Sequence, residues 1–414
     1  MGYSQAKTDI FLRDMLLDTK DSLLLHVIHN PDSFRYQVIY TRIERDRNNR
    51  PTFHNFYLNV DPESYFNPAS VVKMPLAFLS LEKLGTLKGK GIDRNTTALF
   101  DSSWHGQRKL YADTTSESGK PSIAHFIRKA FLVSDNDAYN RMYEFIGQEK
   151  INRRLHEMGY PHTRITRRFM RMTGEENRHT NRIRFVDKTG NLIYEQPPAV
   201  NRDSFDFSRV HKMGNSHYNS NDSLVHAPID FTRANNYPLE DMLLQLRAVM
   251  FPADVPASQR FDLTPDDYSF LYRYLSQYPS ETVHPKYDTA KYYDSYVKFF
   301  FRNGGHKMPA DVRVFNKVGW AYGCLTDVSY IVDFKNNVEF MLAATIYVNS
   351  DGIMNDDRYD YETIGWPFLY RIGQVLYNYE LSRVRKYKPQ LSGFKMKYEL
   401  RPPDDRPTVS QVDN

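Results

Sequence analysis

The sequence holds a single cysteine, Cys324, in 414 residues. An intrachain disulfide is therefore excluded, and so is a zinc site built on a cysteine cluster. Its 13 histidines include no His-Glu-x-x-His pair, so neither a catalytic metal nor another cofactor is expected. No run of about 18 apolar residues occurs, which leaves no membrane span to predict. Charge of one sign is also scarce, since 55 basic and 50 acidic residues leave a net +5. That small excess calls for no nucleic acid; it mildly suits small anionic substrates or an anionic cell envelope. Internal repeats are absent. Aromatic residues, by contrast, are plentiful at 30 tyrosines and 26 phenylalanines, mostly core material. A hydrophobic fraction of 41% with 25% charged residues is ordinary for a globular chain that buries a real core.

The order of local patterns predicts an α/β (α+β) fold. Residues 9–26 repeat apolar side chains at helical spacing, either as one helix or as one broken near Thr19. Residues 36–43 and 52–60 read as a hairpin across a polar turn. Helices are expected at 123–132, 138–146, 148–158, 228–235, 239–250, 265–274 and 293–301. A strand follows at 312–319, then a hairpin of 327–334 with 338–348, then a helix over 361–382. The terminal segments thus supply one five-stranded antiparallel sheet flanked by N- and C-terminal helices, from residues 9–65 and 306–385. Residues 66–305 make an all-helical domain with an arginine- and lysine-rich insertion at 163–222. In that insertion 182–186 and 192–195 form a small hairpin, and 211–222 is loop. Residues 386–414 are a polar tail, surface-bound or loose.

The most informative stretch is Asn67-Pro68-Ala69-Ser70-Val71-Val72-Lys73. Asn67 and Pro68 read as an N-cap and first-turn signal. They place Ser70 in a first turn, with Lys73 on the same face. A lysine pressed into an enclosed site can take a serine's proton when desolvation lowers its pKa. The free N–H of Ser70 can donate to an oxyanion. On this stretch alone a capped amphipathic helix with Ser70 and Lys73 on its wet side is the better explanation, because the pair is common by chance.

Two further motifs change that balance. Ser134-Asp135-Asn136 falls between two predicted helices, and Lys317-Val318-Gly319 lies on a strand before a hairpin. With Ser70-Val71-Val72-Lys73 they resemble, in order, the three motifs of the penicillin-recognising serine hydrolases, nearest to the class A β-lactamases. The resemblance spans about residues 9–382 and implies a β-lactamase/transpeptidase-like fold. It implies that Ser70 becomes acylated, that Lys73 accepts or relays its proton, and that Ser134 passes a proton to the leaving nitrogen. Asn136 would hold Lys73 and the substrate amide, and Lys317 would supply positive charge. Gly319 and Trp320 follow on the same strand, with the Trp320 N–H completing an oxyanion hole. The implied ligand is a small-molecule β-lactam or a peptidoglycan-like peptide, handled by a monomer. Rival readings are a D-Ala-D-Ala peptidase, another serine amidase or esterase, and a peptidoglycan- or partner-binding homologue without turnover. Met1-Gly2-Tyr3-Ser4 shows no export signal, so the expectation is a periplasmic or secreted protein whose signal has been removed.

Two departures stand out. Val318 occupies a place where the family carries Thr or Ser, and it has no hydroxyl for a substrate carboxylate. The glutamate that activates the deacylating water in class A enzymes also has no counterpart, its place falling at or near Phe169. Glu175 and Glu176 are the nearest candidate bases, though both also fit solvated loop positions. Lys188-Thr189-Gly190 matches the third motif better than Lys317-Val318-Gly319 does, but it reads as a hairpin turn.

Overall fold

The computed structural model describes residues 6–412. The chain divides into two compact units, one drawn from Met1–Val71, Asp206–Met250 and Ser295–Lys395, the other from Val72–Phe205, Phe251–Asp294 and Met396–Asn414.

The first unit is built on the expected five-stranded sheet. Its strands are β1 (Gln37–Arg45), β2 (Pro51–Leu58), β3 (Val312–Ala321), β4 (Cys324–Asp333) and β5 (Val338–Tyr347), in the order β3-β4-β5-β1-β2. Every neighbouring pair is antiparallel, with Val38 opposite both Leu58 and Ala344. All ten residues of β4 and all ten of β5 are buried, as central strands covered on both faces must be. Helices Ile10–Leu17, Ser22–Ile28 and Trp366–Ser382 close one face around Leu16, Val27, Phe340 and Leu369. Helix Leu239–Met250 lies against β4 and β5.

The break near Thr19 is real and has a clear cause. The Asp21 carboxylate accepts from the N–H groups of Leu23 and Leu24 at 3.0 and 3.1 Å and starts a second helix there. Other expectations for this unit fail. Residues 228–235 are not a helix: Ile229–Asp230 pairs as a short strand with Lys212–Met213, because the Asp230 side chain accepts from Thr232 N at 2.8 Å and turns the chain. The expected loop at 211–222 likewise contains paired Lys212–Met213 and Ser216–Tyr218. Only Phe299–Phe301 of the helix expected at 293–301 is helical, as a single tight turn whose three rings are buried. The final helix starts late, at Trp366, after a wider turn over Tyr361–Gly365.

The second unit is mainly helical. Its principal helices are Lys73–Leu87, Ile123–Leu132, Asn136–Ile146, Gln148–Glu157 and Pro265–Ser276. Ser122, Asp135 and Thr264 each cap the helix that follows. The hairpin of Ile183–Val186 and Leu192–Gln196 forms as expected, but a strand missing from the sequence reading, Thr97–Phe100, completes a three-stranded sheet. The tail is not loose. Arg401 donates to the carbonyls of Pro279, Thr282 and Tyr287, and Val409 bridges to Tyr287.

Candidate active site

Ser70 lies next to the end of the first unit's opening segment. The Asn67 side chain accepts from Ala69 N at 2.8 Å, and Val71 N donates to Pro68 O at 3.0 Å. These bonds wind the four residues Ala69–Val72 into a tight turn, and the α-helix proper begins only at Lys73. Ala69 is held at φ +43°, a left-handed conformation that costs a residue with a side chain roughly 1–2 kcal/mol. Strain of that kind persists only where neighbours over-determine it, and it gathers at functional sites. Ser70 itself stays partly exposed.

The neighbour that fixes this turn is β3. A Cβ placed on Gly319 would lie 2.6 Å from Pro68 O, 2.9 Å from Ser70 N and 3.0 Å from Val71 N. The strand's main chain therefore runs directly against the Ser70 turn, and only glycine allows it. Lys317 is buried two residues earlier, its ammonium donating to Val318 O at 2.7 Å. Val318 is fully buried and belongs to the apolar core, which gives its side chain no ligand-facing surface. Trp320 is half-buried and meets Tyr296 and Phe299 edge-on.

Lys73 opens the second unit, wholly buried at the start of its helix. Its ammonium donates to Asn136 Oδ1 at 2.7 Å, to Ser134 Oγ at 3.2 Å and to the Ser134 carbonyl. The second motif is thus assembled around the lysine of the first. Ser134 sits at φ +66°, a second non-glycine residue in the left-handed region. Asp135 anchors it, capping Asn136–Ile146 through Ala138 N at 2.8 Å and pairing with Lys129 at 3.3 Å. Burial alone would depress the Lys129 ammonium, but Asp135 and Asp113 outweigh it and hold its pKa above the ordinary value.

At the place expected for a deacylating glutamate stands an aromatic ring. Phe169 stacks on Tyr139 with centroids 4.3 Å apart, and the Lys73 ammonium lies 5.2 Å from its ring centre. The backbone beside it is pinned: Phe169 N donates to Asn140 Oδ1 at 2.8 Å, and Arg168 N to Asn177 Oδ1 at 2.7 Å. The Arg168 side chain is completely buried, paired with Glu144 at 3.2 Å and donating to the carbonyls of Glu176 and His179. Glu144 also pairs with buried Arg141 at 2.9 Å. Neither Arg168 nor Glu144 is singled out by the sequence, because an arginine in a loop dense with arginines reads as solvated.

The two candidate bases are engaged elsewhere. Glu175 is exposed and pairs with His179 at 3.0 Å. Glu176 closes a capping box with Thr173 and meets His105 at 2.7 Å. Backbone donation from Thr173, and then His105, push its pKa down to about 2. Lys188-Thr189-Gly190 lies exposed at the tip of its hairpin. Among the described residues no group of three His, Cys, Asp or Glu side chains is placed to hold a metal ion. None of the described helices is long and apolar enough to cross a membrane.

Residues 46–191 match the family described as the β-lactamase enzyme family, a segment that contains the first two motifs and ends before the third. No curated protein sequence matches the chain. Among solved structures it is similar to the chromosome-encoded β-lactamase of Vibrio parahaemolyticus, at 12% identity and a TM-score of 0.48, over 89% of this chain and 100% of that one. A β-lactamase of Xanthomonas campestris is similar at 14% identity and 0.48, over 88% and 98%. One from Desulfarculus baarsii follows at 14% and 0.46, over 87% and 96%.

Proposed function

We propose that this chain, whose residues 46–191 match the β-lactamase enzyme family, is a serine hydrolase that forms an acyl-enzyme on Ser70. The observation that carries the reading is the convergence of Ser134 and Asn136 on Lys73, three residues beyond Ser70 in the chain. In this reading the neutral Lys73 amine takes the Ser70 proton as Oγ attacks the carbonyl carbon of a β-lactam or a related amide or ester. The Ser134 hydroxyl, within hydrogen-bonding reach of that amine, relays a proton to the departing nitrogen. The N–H groups of Ser70 and Trp320 receive the oxyanion, a role supported by the close packing of Gly319 on the Ser70 turn. Lys317 adds positive charge for a substrate carboxylate.

Phe169 favours a slow second half-reaction. Hydrolysis needs a base to activate water over the ester, and an apolar ring fixed on Tyr139 supplies none. The adduct should therefore last minutes to hours, and a chromogenic cephalosporin should give a burst of about one equivalent before a slow steady rate. Intact-protein mass spectrometry after incubation with a panel of β-lactams tests the proposal. A mass increase that persists, and that Ser70→Ala abolishes while leaving the melting temperature nearly unchanged, is the expected result. An adduct that survives in Ser70→Ala would move the nucleophile elsewhere. Absence of any adduct would favour a binding protein without turnover.

A further inference from the structure

The helical unit contains a cavity of about 740 Å³ that the serine chemistry does not use. One wall is the face of helix Lys73–Leu87 bearing Leu79, Lys83 and Leu87. A second is the joint between helices Asn136–Ile146 and Gln148–Glu157, which contributes Ile146 and Lys150, and a third is the extended chain after Gln196. Its walls are mostly apolar, but the charges set into them are unevenly matched. Glu82 is taken by Arg154 at 2.8 Å and Glu149 by Arg153 at 2.9 Å, and the third lining carboxylate, Glu157, acts on the same two arginines. Lys83 has no carboxylate partner among the described residues. Its ammonium donates only to neutral acceptors, the Gln196 side chain at 2.7 Å and the Phe145 carbonyl, and lies 4.4 Å from the Phe145 ring centre.

Lys150, on the rim, has no ion pair among the described residues and stands close enough to Lys83 to repel it. Burial first, and that like charge second, push the Lys83 pKa down to about 7. Five cations line this cavity against three carboxylates, and Lys83 and Lys150, which no carboxylate engages among the described residues, are the complement of an amphipathic anion.

We propose that this cavity binds a small organic carboxylate, its head group on Lys83 and Lys150 and its apolar body against Leu79, Leu87 and Ile146. The inference does not rest on acylation at Ser70. Calorimetric titration of the full chain with sodium octanoate, with 1-octanol as the neutral control, tests it. One saturable octanoate site is expected, with octanol weaker by about tenfold or more, the factor a charge-assisted hydrogen bond supplies. Lys83→Met should weaken octanoate by a similar factor, whereas Ser70→Ala should bind it unchanged. Thr86→Trp, which fills the cavity from the exposed side of the same helix, should abolish binding even if Lys83→Met proves unfolded. Octanoate that binds no better than octanol, that ignores Thr86→Trp, or that never saturates overturns the proposal. Loss of binding in Ser70→Ala would also overturn it, by placing the ligand at the serine.

Discussion

Two of the Lys-x-Gly tripeptides in this chain compete for the same motif, and their glycines serve opposite ends. In Lys188-Thr189-Gly190 the turn is organised by Asp187, whose carboxylate accepts from Thr189 N and Thr189 Oγ1 at 2.9 and 2.7 Å. Gly190 supplies φ +93° there, and a Cβ on it would meet nothing within 4 Å. In Lys317-Val318-Gly319 the backbone is ordinary strand, and the missing Cβ makes room for the chain at Pro68–Val71. The first glycine is required by its own dihedral angle, the second by a neighbour. A motif's wording does not distinguish these cases; what lies against its backbone does.

Exchanging the two lysines is the strongest way to break the comparison. Lys317→Ala should slow acylation by a reactive β-lactam on the order of a hundredfold, the size of a lost electrostatic contact in a catalytic site. Lys188→Ala, at an exposed hairpin tip, should leave the rate within about twofold. Stopped-flow labelling followed by mass spectrometry reads both, and equal effects would erase the distinction.

The glycines come next. Gly319→Ala forces a contact of 2.6 Å with a backbone oxygen, so it should cost about 3 kcal/mol by overpacking and suppress labelling together. Gly190→Ala pays only for a left-handed alanine, about 1 kcal/mol, with labelling intact. Urea unfolding of the two variants measures the gap.

Val318→Thr sharpens the comparison further, because it restores the family's usual wording in the strand. The side chain lies in the apolar core, so the hydroxyl should cost about 1–3 kcal/mol for want of a partner. It should add no affinity for a β-lactam carboxylate. Tighter binding with unchanged stability would show that the side chain reaches the ligand.

The smallest effect belongs to Glu176. Its pKa falls from 4.5 to about 2 on folding. The stability it contributes is full above pH 4.5 and is lost as the pH drops toward 2. Glu176→Gln should flatten that acid limb in urea midpoints between pH 2.5 and 5, and should leave the slow hydrolysis rate alone. Loss of rapid turnover in a Glu175→Gln, Glu176→Gln double variant would instead make one of them the deacylating base.

Sequence pattern carried the sheet and the long helices because their signal is local. The runs of β-branched and aromatic residues in β1, β3, β4 and β5 are punctuated by turn residues, and such strands need no distant partner to be recognised. Thr97–Phe100 escaped because four residues give too few alternations; it exists through pairing with Ile183–Val186. The helix expected at 228–235 failed because one aspartate's local hydrogen bond outweighed a short apolar pattern. The three motifs put Ser70, Lys73, Ser134, Asn136 and Lys317 on the page by spacing and order. Spacing alone does not show that Lys73 is held by Ser134 and Asn136, since that depends on packing across helices; the family resemblance implies only the Asn136 contact. Arg168 was hidden most deeply. In a loop dense with arginines it reads as solvated, and only Glu144, on another helix, makes its burial affordable.

The discontinuity of both units also dictates the order of events during synthesis. β1 takes one edge partner from β2 close by, but its other, through Val38 opposite Ala344, is made about 300 residues later. At ribosomal speeds that is roughly fifteen seconds to a minute. Over that interval β1 can pair only with β2, and its other edge, along with the apolar face that Phe340 and Leu369 will cover, is open to the wrong partner. The helical unit waits longer still, since the carbonyls of Pro279, Thr282 and Tyr287 receive Arg401 only once that residue has been made. A nascent chain of this protein therefore carries an unpaired inner edge on β1 until the residues of β5 have been made.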